Sequence, residues 1–263
     1  VNCSSLTSIK ISNSVTGIGY MAFGGCTSLT SIEIPDSVTK ISDFAFQDCT
    51  SLTSIVISDS VTNIDDDAFC NCYKLVEVIN KSSLNITAGS EHYGYVAYYA
   101  KEVQSGESEI VNQDGYLFYT YNDVNYLLGY TGDETELILP DNYNGQNYKI
   151  YWYAFDGCKS LTSIVIPDSV TSIGDYAFYF CTSLESVVIG ESVTYIGEEA
   201  FYVCTSLTSV YITDIAKWCS ILFKNAWSNP LYNANNLYLN NELVTNLVIP
   251  NGVTRIGDFA FVN

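Results

Sequence analysis

Basic side chains are scarce in this chain. Ten Lys and Arg stand against 29 Asp and Glu, for a net charge of −19 and a pI near 4.1. A surface of that sign repels phosphate, so nucleic acid and anionic membranes fall away as partners. No stretch of 18 consecutive apolar residues occurs, so no segment has the length of a membrane-spanning helix. Histidine is represented only by His92, and the nucleophile elbow, the P-loop and the H-E-x-x-H zinc motif are missing. The sequence therefore describes no enzyme and no cofactor site. Its acidity has two readings, a basic or calcium-dependent partner and the solubility of a long exposed surface.

What is abundant is repetition. From Leu161 the chain reads L-x-x-I-x-I-P-x-S-V-T-x-I-G-x-x-A-F-x-x-C, and Thr182 and Ser183 close a 23-residue period. The pattern starts at Leu6, Leu29 and Leu52, and again at Leu161, Leu184 and Leu207. Such a period marks a solenoid, because one unit cannot bury its apolar edge without neighbours. Residues two apart, such as Ile164 and Ile166, share one face of a strand, and a proline such as Pro167 ends it. The Ala177–Phe178 pair fits a helical or 3₁₀ turn, and Phe23, Phe46 and Phe69 should stack as an internal ladder. Gly19, Gly174, Gly197 and Gly257 share a position where a bend calls for a permissive backbone.

Seven of the nine cysteines (Cys3, Cys26, Cys49, Cys72, Cys158, Cys181 and Cys204) occupy one repeat position, which points to a column of buried thiols rather than disulfides. Cys70 and Cys219 stand outside it, and one C-x-C without histidines does not make a zinc site. The Asp65-Asp66-Asp67 run reads as a solvated turn, with calcium binding as the alternative.

The repeat resembles the BspA-type leucine-rich repeat of bacterial surface proteins, over residues 1–79, 154–212 and 244–263. The resemblance implies a β-rich α/β solenoid, a right-handed superhelix with one parallel sheet and short helical or 3₁₀ turns. It also implies a cell-surface or secreted location and adhesion to host matrix, mucin or another microbe, without catalysis, by a monomer.

Along the chain, residues 1–263 read as one array: regular repeats 1–79, a tyrosine-rich elaboration 80–153, regular repeats 154–212, a second elaboration 213–243 and a terminal repeat 244–263. No polar cap is evident at Val1-Asn2-Cys3 or Val262-Asn263, as expected of a piece of a longer protein. In the first elaboration, Ala97 to Val103 reads as a helical turn, and a hairpin is expected about Asn122-Asp123. In the second, Thr213 or Asp214 caps a helix running to Phe223, with Ile215, Trp218 and Leu222 on one face, and a hairpin follows about Asn240-Asn241. Trp218 and Trp227 are expected to anchor this elaboration. Asn2, Asn80 and Asn85 each begin an N-x-S/T triplet.

Two binding surfaces emerge. Residues between the paired isoleucines point outward, to the side that is concave in leucine-rich repeats. That column reads Lys10, Glu33, Val56, then Ile138, Val165, Val188, Tyr211 and Val248, beside a row of serines such as Ser163, Ser186 and Ser209. An apolar stripe rimmed by hydroxyls is a candidate contact surface centred on residues 138–248, set against the plain preference of β-branched residues for strands. The alternative is glycan binding by Tyr116, Tyr119, Tyr121 and Tyr126, since residues 93–153 hold 13 of the 22 tyrosines. A passive stalk is the reading from another class.

Overall fold

A computed structural model describes residues 3–262, and Asn2, which begins the first N-x-S/T triplet, lies outside them with Val1 and Asn263. The chain divides into two compact units, with the boundary between Ile110 and Val111. Each unit is a β-solenoid whose coils carry two short strands on different sides, so the single sheet expected from the resemblance becomes two sheets per unit.

In the first unit, Ser31–Glu33, Ser54–Ile57, Glu77–Asn80 and Glu102–Gln104 form one parallel sheet, and Gly17–Ile18, Lys40–Ile41 and Asn63–Ile64 form the other. Serine pairs with serine across the first sheet, Ser31 opposite Ser54, because the repeat has one length. The strand Glu102–Gln104 is a correction. Residues 97–100 close one hydrogen-bonded turn, Ala100 N–H donating to Ala97 O at 3.2 Å, but the turn does not run on to Val103; Glu102–Gln104 continues the sheet, Glu102 opposite Glu77, after a coil of 25 residues instead of 23.

In the second unit, Glu136–Ile138, Ser163–Ile166, Ser186–Ile189, Ser209–Ile212 and Asn236–Leu239 run parallel, and Glu242–Leu243 closes the sheet antiparallel. The second sheet runs from Leu222–Phe223 through Tyr195–Ile196, Val170–Ile173 and Tyr148–Ile150 to Val124–Tyr130, Tyr116–Tyr121 and Val111–Gln113. Both expected hairpins form. Asn122 and Asp123 have φ of 49° and 60°, and Asn240 and Asn241 have 52° and 67°, as a two-residue turn between antiparallel strands requires.

The core follows the repeat. Ile164, Val187 and Val210 are buried in register, as are Ile32, Ile55 and Val78. Phe23, Phe46 and Phe69 stack at 5.3 and 5.0 Å, and Phe155, Phe178 and Phe201 at 5.1 and 5.0 Å, so the phenylalanine ladder is present in both units. Cys26, Cys49, Cys72, Cys181 and Cys204 are buried free thiols. The Cys72 thiol donates to the carbonyl of Phe46 at 3.2 Å, and Cys204 to that of Phe178 at 3.1 Å. Burial pushes the Cys49 thiol up to about 12 and holds Cys72 well above the ordinary thiol range.

The Ala-Phe segments are hydrogen-bonded turns rather than helices. The residue before Ala and the residue before Cys both take positive φ: 57° at Tyr176, 55° at Phe180, 58° at Asp48 and 61° at Val203. Their N–H groups thereby aim along the stack. Tyr176 donates to the carbonyl of Glu198 at 2.8 Å, and Phe180 to that of Tyr202 at 3.1 Å, each in the following coil. At the threonine corner the direction reverses, Thr53 N–H donating to Thr30 O at 2.9 Å in the preceding coil.

The shared glycine position works differently from the expectation. Gly174 and Gly197 are not at positive φ. A Cβ on Gly174 would lie 2.6 Å from the Trp152 backbone nitrogen and one on Gly197 2.4 Å from that of Asp175, so the neighbouring coil excludes a side chain at these two, whereas Gly19 has open space and Ser42 and Asp65 fill the same position in the first unit.

Asp214 is the cap of the helix Ile215–Ser220, accepting from the N–H of Ala216 and of Lys217. The helix stops at Ser220 because the chain extends into Leu222–Phe223, which leaves Leu222 exposed instead of on the buried face. Trp218 is buried and its indole donates to Ala260 O at 2.8 Å. Beyond the helix the chain forms two 3₁₀ turns, Ala226–Ser228 and Pro230–Tyr232. Among the described residues no helix is long and apolar enough to cross a membrane.

Candidate functional site: the outward strand face

Alternation along each strand decides which side chains face solvent. In Ser163–Ile166 the isoleucines turn inward, so Ser163 and Val165 are left half-exposed. The parallel register then sets Ile138, Val165, Val188 and Tyr211 side by side, one residue per coil. Ile138 is 71% exposed, and Val165, Val188 and Tyr211 are half-buried. Ser163, Ser186 and Ser209 run parallel to this column as a hydroxyl rim.

The stripe ends differently from the expectation. Val248 is exposed but lies on no strand, and the fifth place in the column belongs to Tyr238, paired with Tyr211. The reason is the hairpin. Asn236–Leu239 joins the sheet first, and Glu242–Leu243 folds back on its free edge, so Leu247 to Ile249 find no edge to extend. The rings of Tyr211 and Tyr238 are stacked with centroids 4.6 Å apart. The repeat around Tyr238 lacks the Ile-x-Ile signature, and only the leucines at Leu237 and Leu239 mark its strand.

In the first unit the same column reads Glu33, Val56, Ile79 and Gln104. Ile79 is buried, and the neighbouring Glu77, wholly buried, accepts from Gln104 Nε2, Ser108 Oγ and the Glu109 N–H. Residues 104–109 thus fold against Glu77, and the column offers no open apolar stripe there.

The tyrosine alternative is mostly built into packing. Tyr119 is fully buried, so it presents no ring face. Tyr116 donates its hydroxyl to Ile138 O at 3.0 Å and rests on Tyr130, and Tyr126 meets Tyr151 edge to face. Burial raises the phenols of both Tyr116 and Tyr126. Tyr121 remains half-buried at the hairpin turn.

The Asp65-Asp66-Asp67 run contains an engaged member: Lys40 Nζ lies 2.6 Å from Asp65, and that bond holds the Asp65 carboxyl below its usual range. Among the described residues no group of three or more His, Cys, Asp or Glu is placed to hold a metal ion. Asn80 is occupied in its own turn, donating to Leu84 O at 2.8 Å, whereas Asn85 is exposed.

No curated protein matches. A leucine rich cell surface protein from Faecalibacterium prausnitzii is 29% identical over 78% of this chain and 48% of its own, with a TM-score of 0.41. The chain thus spans about half the length of that protein. A leucine-rich repeat protein from Bacteroides capillosus is 30% identical over 50% of this chain and 99% of its own, also at 0.41. The leucine-rich repeat protein of T. pallidum is 24% identical over 58% of this chain and 66% of its own, at 0.38. Residues 1–96 and 130–233 match the BspA type leucine rich repeat region in six copies, most of the chain, and the protein belongs to that family.

Proposed function

We propose that this chain is a non-catalytic adhesion or protein-interaction module, displayed at a cell surface or secreted, that binds an extracellular protein or glycoprotein. Host matrix proteins, mucins and the surface of another microbe are the candidate partners. The observation that carries the reading is the continuous outward column Ile138, Val165, Val188, Tyr211 and Tyr238. Membership in a repeat family that includes surface proteins supports it. A solenoid used as a spacer gains nothing from a partly exposed apolar stripe, whereas a contact surface needs apolar area at its centre and hydroxyls at its rim.

The test is binding of the purified chain to immobilised matrix proteins, mucins and glycans, beside Val188→Ser/Tyr211→Ser. Saturable binding lost in that variant supports the reading. Binding that survives the double substitution moves the site elsewhere, and no binding at all favours a passive stalk.

A further inference from the structure

A second surface of the second unit lies outside this stripe. The Ala-Phe turns send Phe155, Phe178 and Phe201 inward, and their neighbours in sequence stay outside as a chain of rings. Tyr153 stacks on Tyr176 at 4.9 Å and 12°. Tyr176 meets Tyr179 at 5.6 Å, and Tyr179 meets Phe180 at 4.6 Å and Tyr202 at 5.9 Å. Tyr202 continues to Trp227 at 5.4 Å and Trp227 to Tyr232 at 6.4 Å. Phe180, Trp227 and Tyr232 are each 38–40% exposed, which is unusual for rings of this size.

The fold does not require this belt. In the first unit the positions of Tyr176, Tyr179 and Phe180 hold Phe44, Gln47 and Asp48, then Asp67, Cys70 and Asn71. Nor is the belt conformationally free. Tyr153, Tyr176 and Phe180 hold positive φ of 55–57°, where glycine or asparagine sits without strain. Gly157 occupies the Phe180 position in the preceding coil.

Acids surround the rings. Tyr176 N–H donates to Glu198 O at 2.8 Å and Glu198 N–H to Asp175 Oδ1 at 2.8 Å, and burial, then Glu198, Glu199 and Asp175, raises the Tyr176 phenol as burial and Glu199 raise that of Tyr179. Residues 153–232 carry eight Asp and Glu against three Lys. Aromatic faces beside carboxylates attract cations twice over, through the ring quadrupole and through charge, and guanidinium also stacks flat on Tyr and Trp. A second copy of so acidic a chain would be repelled, as would nucleic acid.

We propose that this belt, from Tyr153 to Tyr232, is a docking site for an arginine-rich polypeptide segment of a partner protein. Four coils at about 4.8 Å span roughly 15 Å, the reach of four or five residues of extended peptide.

The probe is a fluorescein-labelled peptide of five Arg-Gly repeats, titrated into the intact chain and compared with five Lys-Gly repeats and a neutral oligosaccharide. Saturable binding is expected that favours arginine, survives moderate salt and weakens at least tenfold in Tyr179→Ser and in Trp227→Ala. Hydroxyl-radical footprinting of the unmutated chain should show protection of Tyr179, Phe180 and Trp227 by the peptide, which keeps the test valid if a variant misfolds. Tyr238→Ser should leave this binding unchanged, separating it from the strand-face reading. Equal binding of arginine and lysine peptides that vanishes with salt overturns the proposal, as does unaltered affinity in both belt variants. So does binding of the oligosaccharide in place of the peptide.

Discussion

The Tyr211 and Tyr238 rings lie nearly parallel, 15° apart, although the two residues are 27 positions apart in a chain whose period is 23. The extra four residues are absorbed by the helix Ile215–Ser220 and the 3₁₀ turns, and the strand register is restored beyond them. Tyr238 is therefore expected to matter to the proposed strand-face contact as much as Tyr211. Tyr238→Ser should weaken partner binding by about 2 kcal/mol, roughly thirtyfold, as central aromatic residues of interfaces do. Val248→Ser should leave the affinity unchanged. Surface plasmon resonance of both variants checks this, and a larger loss at Val248 would contradict the register argument.

Glu77 is buried with three donors on its carboxylate, at 2.9, 2.5 and 2.8 Å. Glu77→Ala leaves those donors without a partner and should cost about 2–4 kcal/mol in the first unit. Urea unfolding reads the loss. Hydrogen exchange should show the Glu109 amide losing protection.

Turn conformation predicts a gain in stability. Val203 sits at φ 61°, where a β-branched side chain is strained. Val203→Gly should stabilise the second unit by about 1 kcal/mol, the left-handed penalty outweighing the entropy of glycine. Gly174→Ala should act in the opposite sense, since its Cβ would meet the Trp152 backbone. Calorimetric melting temperatures of the two variants should move apart.

The thiol column predicts a pH response. Cys49 titrates near 12 when folded against an ordinary value of 9.0, because burial penalises the thiolate. The native state then keeps its proton where the unfolded chain has lost it. The contribution is complete below pH 9 and is lost as pH rises from 9 toward 12. Cys72 and Cys181 shift in the same direction, Cys181 through a hydrogen bond with the Cys204 thiol and then burial. Stability should fall as pH passes about 9, and Cys49→Ala should flatten the fall. Under native conditions a disulfide reagent should modify exposed Cys3 well before Cys49 or Cys72.

The core is legible in the sequence because burial repeats with the chain: Leu184, Val187, Ile189 and Phe201 recur at one spacing, and each has one inward direction. The hairpins are legible from asparagine and aspartate at the tips. The second sheet is harder to read, because strands of two residues such as Lys40–Ile41 are too short to show alternation. Glu102–Gln104 is hidden since its coil is two residues longer and lacks the Ile-x-Ile pair. The turn strain is invisible, because Val203 and Phe180 occupy places where the backbone geometry favours glycine or asparagine. Tyr238 is lost for the same reason as Glu102: its neighbours are set by stacking, while the motif describes only the commonest coil.

The opposed hydrogen bonds at the two corners of each coil have an electrical consequence. At the Phe corner the Tyr176 and Phe180 amides point toward later coils, and at the threonine corner the Thr53 amide points toward earlier ones. An α-helix aligns its peptide dipoles and builds up charge at its ends. Here the axial components of the two corners oppose each other in the coils that carry both kinds of bond. Coils can accordingly be added to either unit without a growing end potential, and the field around the protein is set by its carboxylates rather than by its backbone.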